Sequence, residues 1–208
     1  MSPRAEPLRV GVLASGRGSN LQAILDAAAD PAFPARVMLA VADRERAQAL
    51  ERAASAGVGA VFLNPKDFGD RNVFEAVLIE TLQSARVELV CLAGFMRILG
   101  PAIVRSFAGR IMNVHPSLLP AFPGLAAQRQ ALEYGVKIAG ATVHFVDAGV
   151  DTGPIILQAS VPVLPQDTEE TLSARILSEE HRLYPQAVRL FALGRLSIVG
   201  RRVIVEPE

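Results

Sequence analysis

The chain has 208 residues, half of them hydrophobic, with 21 basic and 21 acidic side chains. That length suits one domain or two small lobes, and so much apolar surface excludes a disordered chain. Zero formal net charge supplies no overall field to attract nucleic acid or an anionic membrane, and the single Cys91 excludes an internal disulfide framework and fits a reducing compartment.

Residues 1–7 lack the apolar run and small-residue cleavage site of a signal peptide. The longest apolar stretches are strand-length, far short of the ~20 residues needed to cross a bilayer. The expectation is a cytoplasmic protein. Residues 8–14 (LRVGVLA) read as a buried strand, followed by Gly16-Arg17-Gly18-Ser19 and a helix over 20–29. A second strand over 36–42 leads to a helix over 44–56, with Asp43 read as its cap rather than as a ribose-binding acid. A strand over 58–63, a helix over 72–85 and a strand over 88–93 complete the first half. This alternation of apolar strands and helices predicts a Rossmann-like, mostly parallel sheet flanked by helices on both faces. Right-handed crossovers then gather the strand-to-helix loops at one sheet edge, where open α/β folds bind ligands.

The texture changes after residue 110. A strand over 111–114 runs into His115-Pro116 and a loop holding Pro116, Pro120 and Pro123, then a helix over 124–134. Strands over 138–146 and 154–162 are joined by so short a loop that they are expected to be antiparallel. Asp167-Thr168-Glu169-Glu170 resembles a capping box opening a long helix, which ends near Pro185 or resumes as a second segment to 193. An edge strand is expected over 198–205. The α/β fold class thus carries antiparallel strands in its C-terminal half. With no repeat or linker, a single domain is expected over 1–208, its halves covering about 8–110 and 111–208 and sharing one sheet.

Gly16-Arg17-Gly18-Ser19-Asn20 sits between a strand and a helix, where first-turn N–H groups and the helix dipole favour a phosphate. A dinucleotide fingerprint fails because Leu21 stands at its third glycine, and no Gly-Lys-Ser/Thr completes a Walker loop. A single phosphomonoester fits better; the plain alternative is a tight turn capped by Ser19 or Asn20. Arg17 either contacts that phosphate or hangs in solvent.

Asn113 and His115 are two apart at the end of a strand, so their side chains share a face at the ligand edge. An amide beside an imidazole can hold a developing oxyanion, and the imidazole can also move a proton. The adjacent prolines restrict the loop. Asp147 and Asp151 lie in a glycine-flanked loop, and a carboxylate near His115 would favour its protonated form. His144, inside a strand, is as well suited to a structural role as to a direct one. The scatter of His115, His144 and His181 offers no metal-ligand spacing, and no nucleophile elbow occurs.

Five segments occur in order: ASGRGSNLQAI, LAGFMRIL, NVHPSLLPAFPGL, VHFVDAGVDTGPII and EEHRLYP. Through them the chain resembles the glycinamide ribonucleotide formyltransferase family over roughly residues 8–195. Asn-x-His-Pro-Ser-Leu-Leu-Pro with a later Asp-x-Gly-Pro is specific to the 10-formyltetrahydrofolate transferases, and the Gly-x-Gly-Ser-Asn run selects the glycinamide ribonucleotide branch. The resemblance implies that Asn113, His115 and Asp151 are the catalytic trio, and that Gly18, Ser19 and Asn20 hold the ribonucleotide phosphate. It further implies that Arg71, Met96, Arg97, Ile98 and Leu99, with Asn113, line the folate site, and that Glu180 contacts the ribonucleotide.

The implied substrates are glycinamide ribonucleotide and 10-formyltetrahydrofolate, with no metal, nucleic acid or membrane, on a monomer or homodimer. The family usually has histidines after Pro-Gly-Leu, whereas this chain carries Ala126 and Gln128, which cannot titrate. Rival readings are a formyltransferase acting on methionyl-tRNA or an aminosugar, a formyltetrahydrofolate hydrolase, and a non-catalytic nucleotide-binding module. Without a separate basic C-terminal segment in these residues, transfer to tRNA is not the expected activity.

Overall fold

The computed structural model describes residues 6–207. Residues 1–5 of the N-terminal stretch read above, and residue 208, lie outside the described residues. The chain divides into two units, the first ending at Met112 and the second beginning at Asn113.

In the first unit, β1 (Leu8–Ala14), β2 (Ala35–Ala42), β3 (Gly59–Phe62) and β4 (Leu89–Leu92) lie in the order β3-β2-β1-β4, with parallel pairing throughout. Their apolar sequences follow from burial on both faces: Val10, Val12 and Leu13 are buried, as is all of β4. Helices α1 (Ser19–Ala28), α2 (Gln48–Ser55) and α3 (Arg71–Ser84) cover the sheet with apolar residues three or four apart. Leu21 and Ile24, Ala49 and Ala53, and Leu78 and Leu82 are these buried pairs. Each such leucine contributes about 1.5–3 kcal/mol by leaving water. Asp70 caps α3, accepting the Asn72 and Val73 N–H groups at 2.6 and 3.0 Å.

The loops after β1 and β4 stand side by side because those strands are neighbours. The Ser15 amide donates to the Gly94 carbonyl at 3.1 Å, and the Met96 amide donates to the Ser15 hydroxyl at 2.9 Å. A 3-10 turn (Pro65–Asp67) and the short α4 (Pro101–Ser106) were not anticipated, being too brief to carry a periodic pattern.

Strand β5 (Ile111–His115) delivers Asn113 and His115 to the second unit, where the strand order is β5-β6-β7-β9-β8. Strands β6 (Ile138–Phe145) and β7 (Ile155–Pro162) pair antiparallel, as expected from their short connection. Helix α5 (Ala127–Tyr134), which precedes β6, buries Ala127 and Ala131, and α6 (Glu169–Ala192), which follows β7, buries Leu172, Ile176, Leu183 and Tyr184. Thr168 caps α6 reciprocally with Thr171. Arg175 grips Asp167 through both guanidinium arms at 2.7 and 2.8 Å, which holds that carboxyl well below the ordinary range. Among the described residues no helix is long and apolar enough to cross a membrane.

Four sequence expectations need correction. Helix α2 starts at Gln48, with Ala47 at its cap position, so Asp43 caps nothing; its carboxylate lies 3.8 Å from Arg97 instead. Helix α5 starts later than residue 124 because Gly124 and Ala126 both hold left-handed backbone angles, φ 81° and 55°. Helix α6 passes through Pro185 unbroken to Ala192. The lost hydrogen bond is offset by Leu183, Tyr184, Ala187 and Val188, all buried around the proline. The expected edge strand is a hairpin, β8 (Leu196–Val199) and β9 (Arg202–Val205), turned by Gly200 at φ 61°.

Ala126 carries a strained left-handed φ that glycine adopts freely. Ala126→Gly is expected to raise unfolding stability by about 0.5–1 kcal/mol in urea denaturation. A loss of stability would show that the strain is not felt.

Candidate active site

In the second unit a polar cluster forms around Asp151. The Asp151 Oδ2 lies 3.4 Å from His115 Nδ1 and accepts the Gly124 amide at 2.8 Å. Its Oδ1 lies 3.4 Å from Asn113 Nδ2 and 3.6 Å from His144 Nε2. Asn113 Nδ2 is also 3.2 Å from His144 Nε2. The outer nitrogen of each imidazole meets a backbone carbonyl, with His115 Nε2 at 2.9 Å from the Phe122 oxygen and His144 Nδ1 at 2.8 Å from the Phe145 oxygen.

Both ring nitrogens of His115 therefore face oxygen acceptors. Only the doubly protonated ring can donate to both. His144 Nε2 faces both the Asn113 amide and the carboxylate. Burial, the largest single influence, pushes the Asp151 carboxyl up, while the hydrogen bonds from His144 and the Gly124 amide pull it down. With the adjacent His115 and His144 charges they leave its pKa below the ordinary value.

The loops that hold this cluster are fixed by their own backbone. Asp151 sits at φ 54° and Phe122 at φ 53°, conformations that side-chain-bearing residues adopt only when the surroundings impose them. Asp147, the other carboxylate of the loop, accepts from the Gly149 amide at 3.0 Å and the Thr152 hydroxyl at 2.6 Å. It shapes the turn rather than joining the cluster. A Cβ on Gly153 would strike the Phe145 carbonyl, so only glycine closes this loop.

The prolines after His115 have help that the sequence did not reveal. Thr142 on β6, with no exposed surface, donates to the Ser117 carbonyl at 2.6 Å and accepts the Leu119 amide at 3.1 Å. Gln158 on β7 donates to the Leu119 carbonyl at 3.0 Å and to the Thr142 hydroxyl at 2.9 Å. His144 and Thr142 are the cluster members that sequence reasoning left undecided or passed over. Their signal was a pair of polar residues, two apart, in an otherwise apolar strand.

In the first unit, Gly18 is the left-handed cap of α1 at φ 67°, and no side chain caps that helix. A Cβ on Gly18 would meet the Ala49 Cα at 2.7 Å, so glycine is required by packing as well as by angle. Arg17 is exposed, while its carbonyl accepts from Arg52 at 2.8 Å.

Arg71 donates to the Ile98 carbonyl at 2.6 Å and to Glu75 at 2.8 Å, which brings it together with the 96–99 segment. Met96 and Ile98 are 57% and 64% exposed, an apolar surface suited to a flat ring system, and Arg71 offers a cation suited to a carboxylate. Arg97 is drawn back over the Phe74 ring at 5.6 Å, and Leu99 is half-buried. In the second unit Glu180 lies on the buried face of α6. Among the described residues no group of histidine, cysteine and acidic side chains is arranged to hold a metal ion.

The chain belongs to the formyl transferase family, whose profile matches residues 8–188. Within that family it is 48% identical over 199 residues to the phosphoribosylglycinamide formyltransferase of Mycobacterium tuberculosis H37Rv, covering 96% of this chain and 92% of that protein. It is 53% identical over 194 residues to the trifunctional purine biosynthetic protein adenosine-3 of Drosophila pseudoobscura pseudoobscura, covering 92% of this chain but spanning only 14% of that protein's length. The crystal structure of glycinamide ribonucleotide transformylase 1 from Symbiobacterium toebii superposes with a TM-score of 0.96 at 58% identity, over 98% of this chain and 96% of that one.

Two outcomes are expected from this geometry. Thr142→Val removes a buried hydroxyl that serves three groups and leaves the Leu119 amide unpaired. It should cost about 2–4 kcal/mol in urea denaturation, and a loss under 1 kcal/mol would show the loop is held elsewhere. Second, a depressed Asp151 pKa stabilises the fold above the unfolded carboxyl's pKa, about 4, and that contribution is lost as pH falls through the lower folded value. The stability gap between the parent and Asp151→Asn should hold steady above about pH 5 and shrink below about pH 4. A gap that widens on acidification would contradict the assignment.

Proposed function

We propose that this chain transfers the formyl group of 10-formyltetrahydrofolate to the amine of glycinamide ribonucleotide, a step of de novo purine synthesis, and that Asn113, His115 and Asp151 carry the chemistry. The observation behind the site assignment is the single carboxylate of Asp151, set 3.4 Å from both the His115 imidazole and the Asn113 amide. Family membership and relatives named for this reaction support the substrates.

The amine nitrogen attacks the formyl carbon, forming a C–N bond while the carbonyl pair moves onto oxygen. The Asn113 amide exchanges its long contact with Asp151 for that oxygen, and the His115 charge stabilises it from beside. Asp151 takes the proton released by the attacking amine, through a water. The oxyanion then collapses, the bond to N10 breaks, and His115 gives that nitrogen its proton. Asp151 faces His115 and returns the proton to it, so the pair ends as it began. Holding both reactants in one orientation supplies much of the remaining acceleration.

We assign the ribonucleotide phosphate to Gly18, Ser19 and Asn20, where Gly18 opens α1 without a side-chain cap, and a further ribonucleotide contact to Glu180. The folate is assigned to Arg71, Met96, Arg97, Ile98 and Leu99, with Asn113 at its reactive end. We place the enzyme in the cytoplasm, as a monomer or homodimer; the buried Cys91 suits a reducing compartment.

Mixed with both substrates, the purified protein should change the folate absorbance, and with either alone it should not. A change without the ribonucleotide would mark a hydrolase, transfer to methionyl-tRNA or an aminosugar would mark another acceptor, and silence would mark a binding module. His115→Ala should retain binding of both substrates and lose about a hundredfold or more in turnover. Full turnover in that variant would remove His115 from the mechanism.

A further inference from the structure

One face of α3 presents Arg71, Phe74 and Glu75, spaced three and four apart. Each meets a different position of the segment that follows β4. Arg71 donates to the Ile98 carbonyl at 2.6 Å, and the Phe74 ring lies under the Arg97 guanidinium at 5.6 Å. Glu75 accepts the Gly100 amide at 2.7 Å. The same oxygen of Glu75 accepts from Arg71 Nε at 2.8 Å, so one carboxylate ties the end of the segment to the arginine that grips its middle.

Glu75 is 3% exposed, and an ionised carboxylate this deep persists only where charged and N–H partners offset its desolvation. Gly100 has the ordinary extended angles φ −86° and ψ 174°, which any residue adopts. Its need for glycine is spatial, since a Cβ would land on the Glu75 carboxylate. Arg71 keeps 54% of its side chain exposed while two of its nitrogens are committed.

We propose that Glu75 is a positioning residue for formyl-folate binding: it fixes the 96–100 segment through the Gly100 amide and orients Arg71, whose open edge meets the folate's carboxylate. This rests on the reading of Arg71 and residues 96–99 as the folate-contacting group. Glu75 itself touches no substrate.

The test combines hydrogen–deuterium exchange of residues 96–100 with steady-state kinetics. Glu75→Leu should speed exchange at the Gly100 amide and raise KM for 10-formyltetrahydrofolate about tenfold, while kcat and KM for glycinamide ribonucleotide stay within about twofold. Glu75→Gln, which keeps an acceptor oxygen for the Gly100 amide, should restore its protection and most of the affinity. Gly100→Ala should reproduce the folate-specific defect by pushing the carboxylate away, and it carries the test should Glu75→Leu fail to fold. Unchanged exchange in both disruptive variants would overturn the positioning role. Equal losses for both substrates, in step with a lowered Tm, would reduce Glu75 to a general structural residue and overturn it too. Faster exchange with unaltered folate KM would instead show that the segment does not contact folate, the failure of the underlying reading.

Discussion

A carboxylate withdrawn from water is stable only while its oxygens are occupied, and Asp151 meets that condition with four partners from three segments. The Gly124 amide comes from the loop after β5, Asn113 and His115 from the end of β5, and His144 from the end of β6. An amide, two imidazoles and a backbone N–H all turn toward one charge, and the strained angle at Asp151 is what aims that charge at them.

The same economy governs the loops. Thr142 is one small hydroxyl, yet it fixes the chain on both sides of Leu118 and leans on Gln158 in turn. Glu75 does the corresponding work in the first unit for the segment after β4. In both places a buried polar side chain on a regular element disciplines an irregular one. Function-bearing loops gain the rigidity that regular hydrogen bonding would otherwise supply.

Much of this was legible in the residues. The apolar runs of β1, β2 and β4 and the spacing of Leu78 and Leu82 announced the parallel sheet and its cover, because burial on two faces leaves few polar positions, Arg9 and Arg36 being the exceptions, to confuse the pattern. Asn113 and His115 were legible as a same-face pair through strand alternation alone. Partnerships between distant residues were not legible. That Asp43 would turn to Arg97 rather than cap a helix, or that Thr142 would hold Ser117 and Leu119, depends on contacts made only when the chain folds. Pro185 misled for a similar reason, since its local rule was overridden by the packing of Leu183, Tyr184 and Val188. Gly200 carried a turn signal that the single-strand reading passed over.

The contact between Gly18 and Ala49 has a bearing on any redesign of the loop before α1. The first turn of α1 and the body of α2 meet at a spot where one residue has no side chain and the other only a methyl group, already 2.8 Å from where a Cβ at 18 would stand. Any redesign at residue 18 therefore meets a neighbour on α2 with no flexible side chain to swing aside. Libraries that replace Gly18 while α2 stays in place would sample mostly clashing turns. Those that let α2 shift or shrink with the loop would open a wider range of backbone shapes.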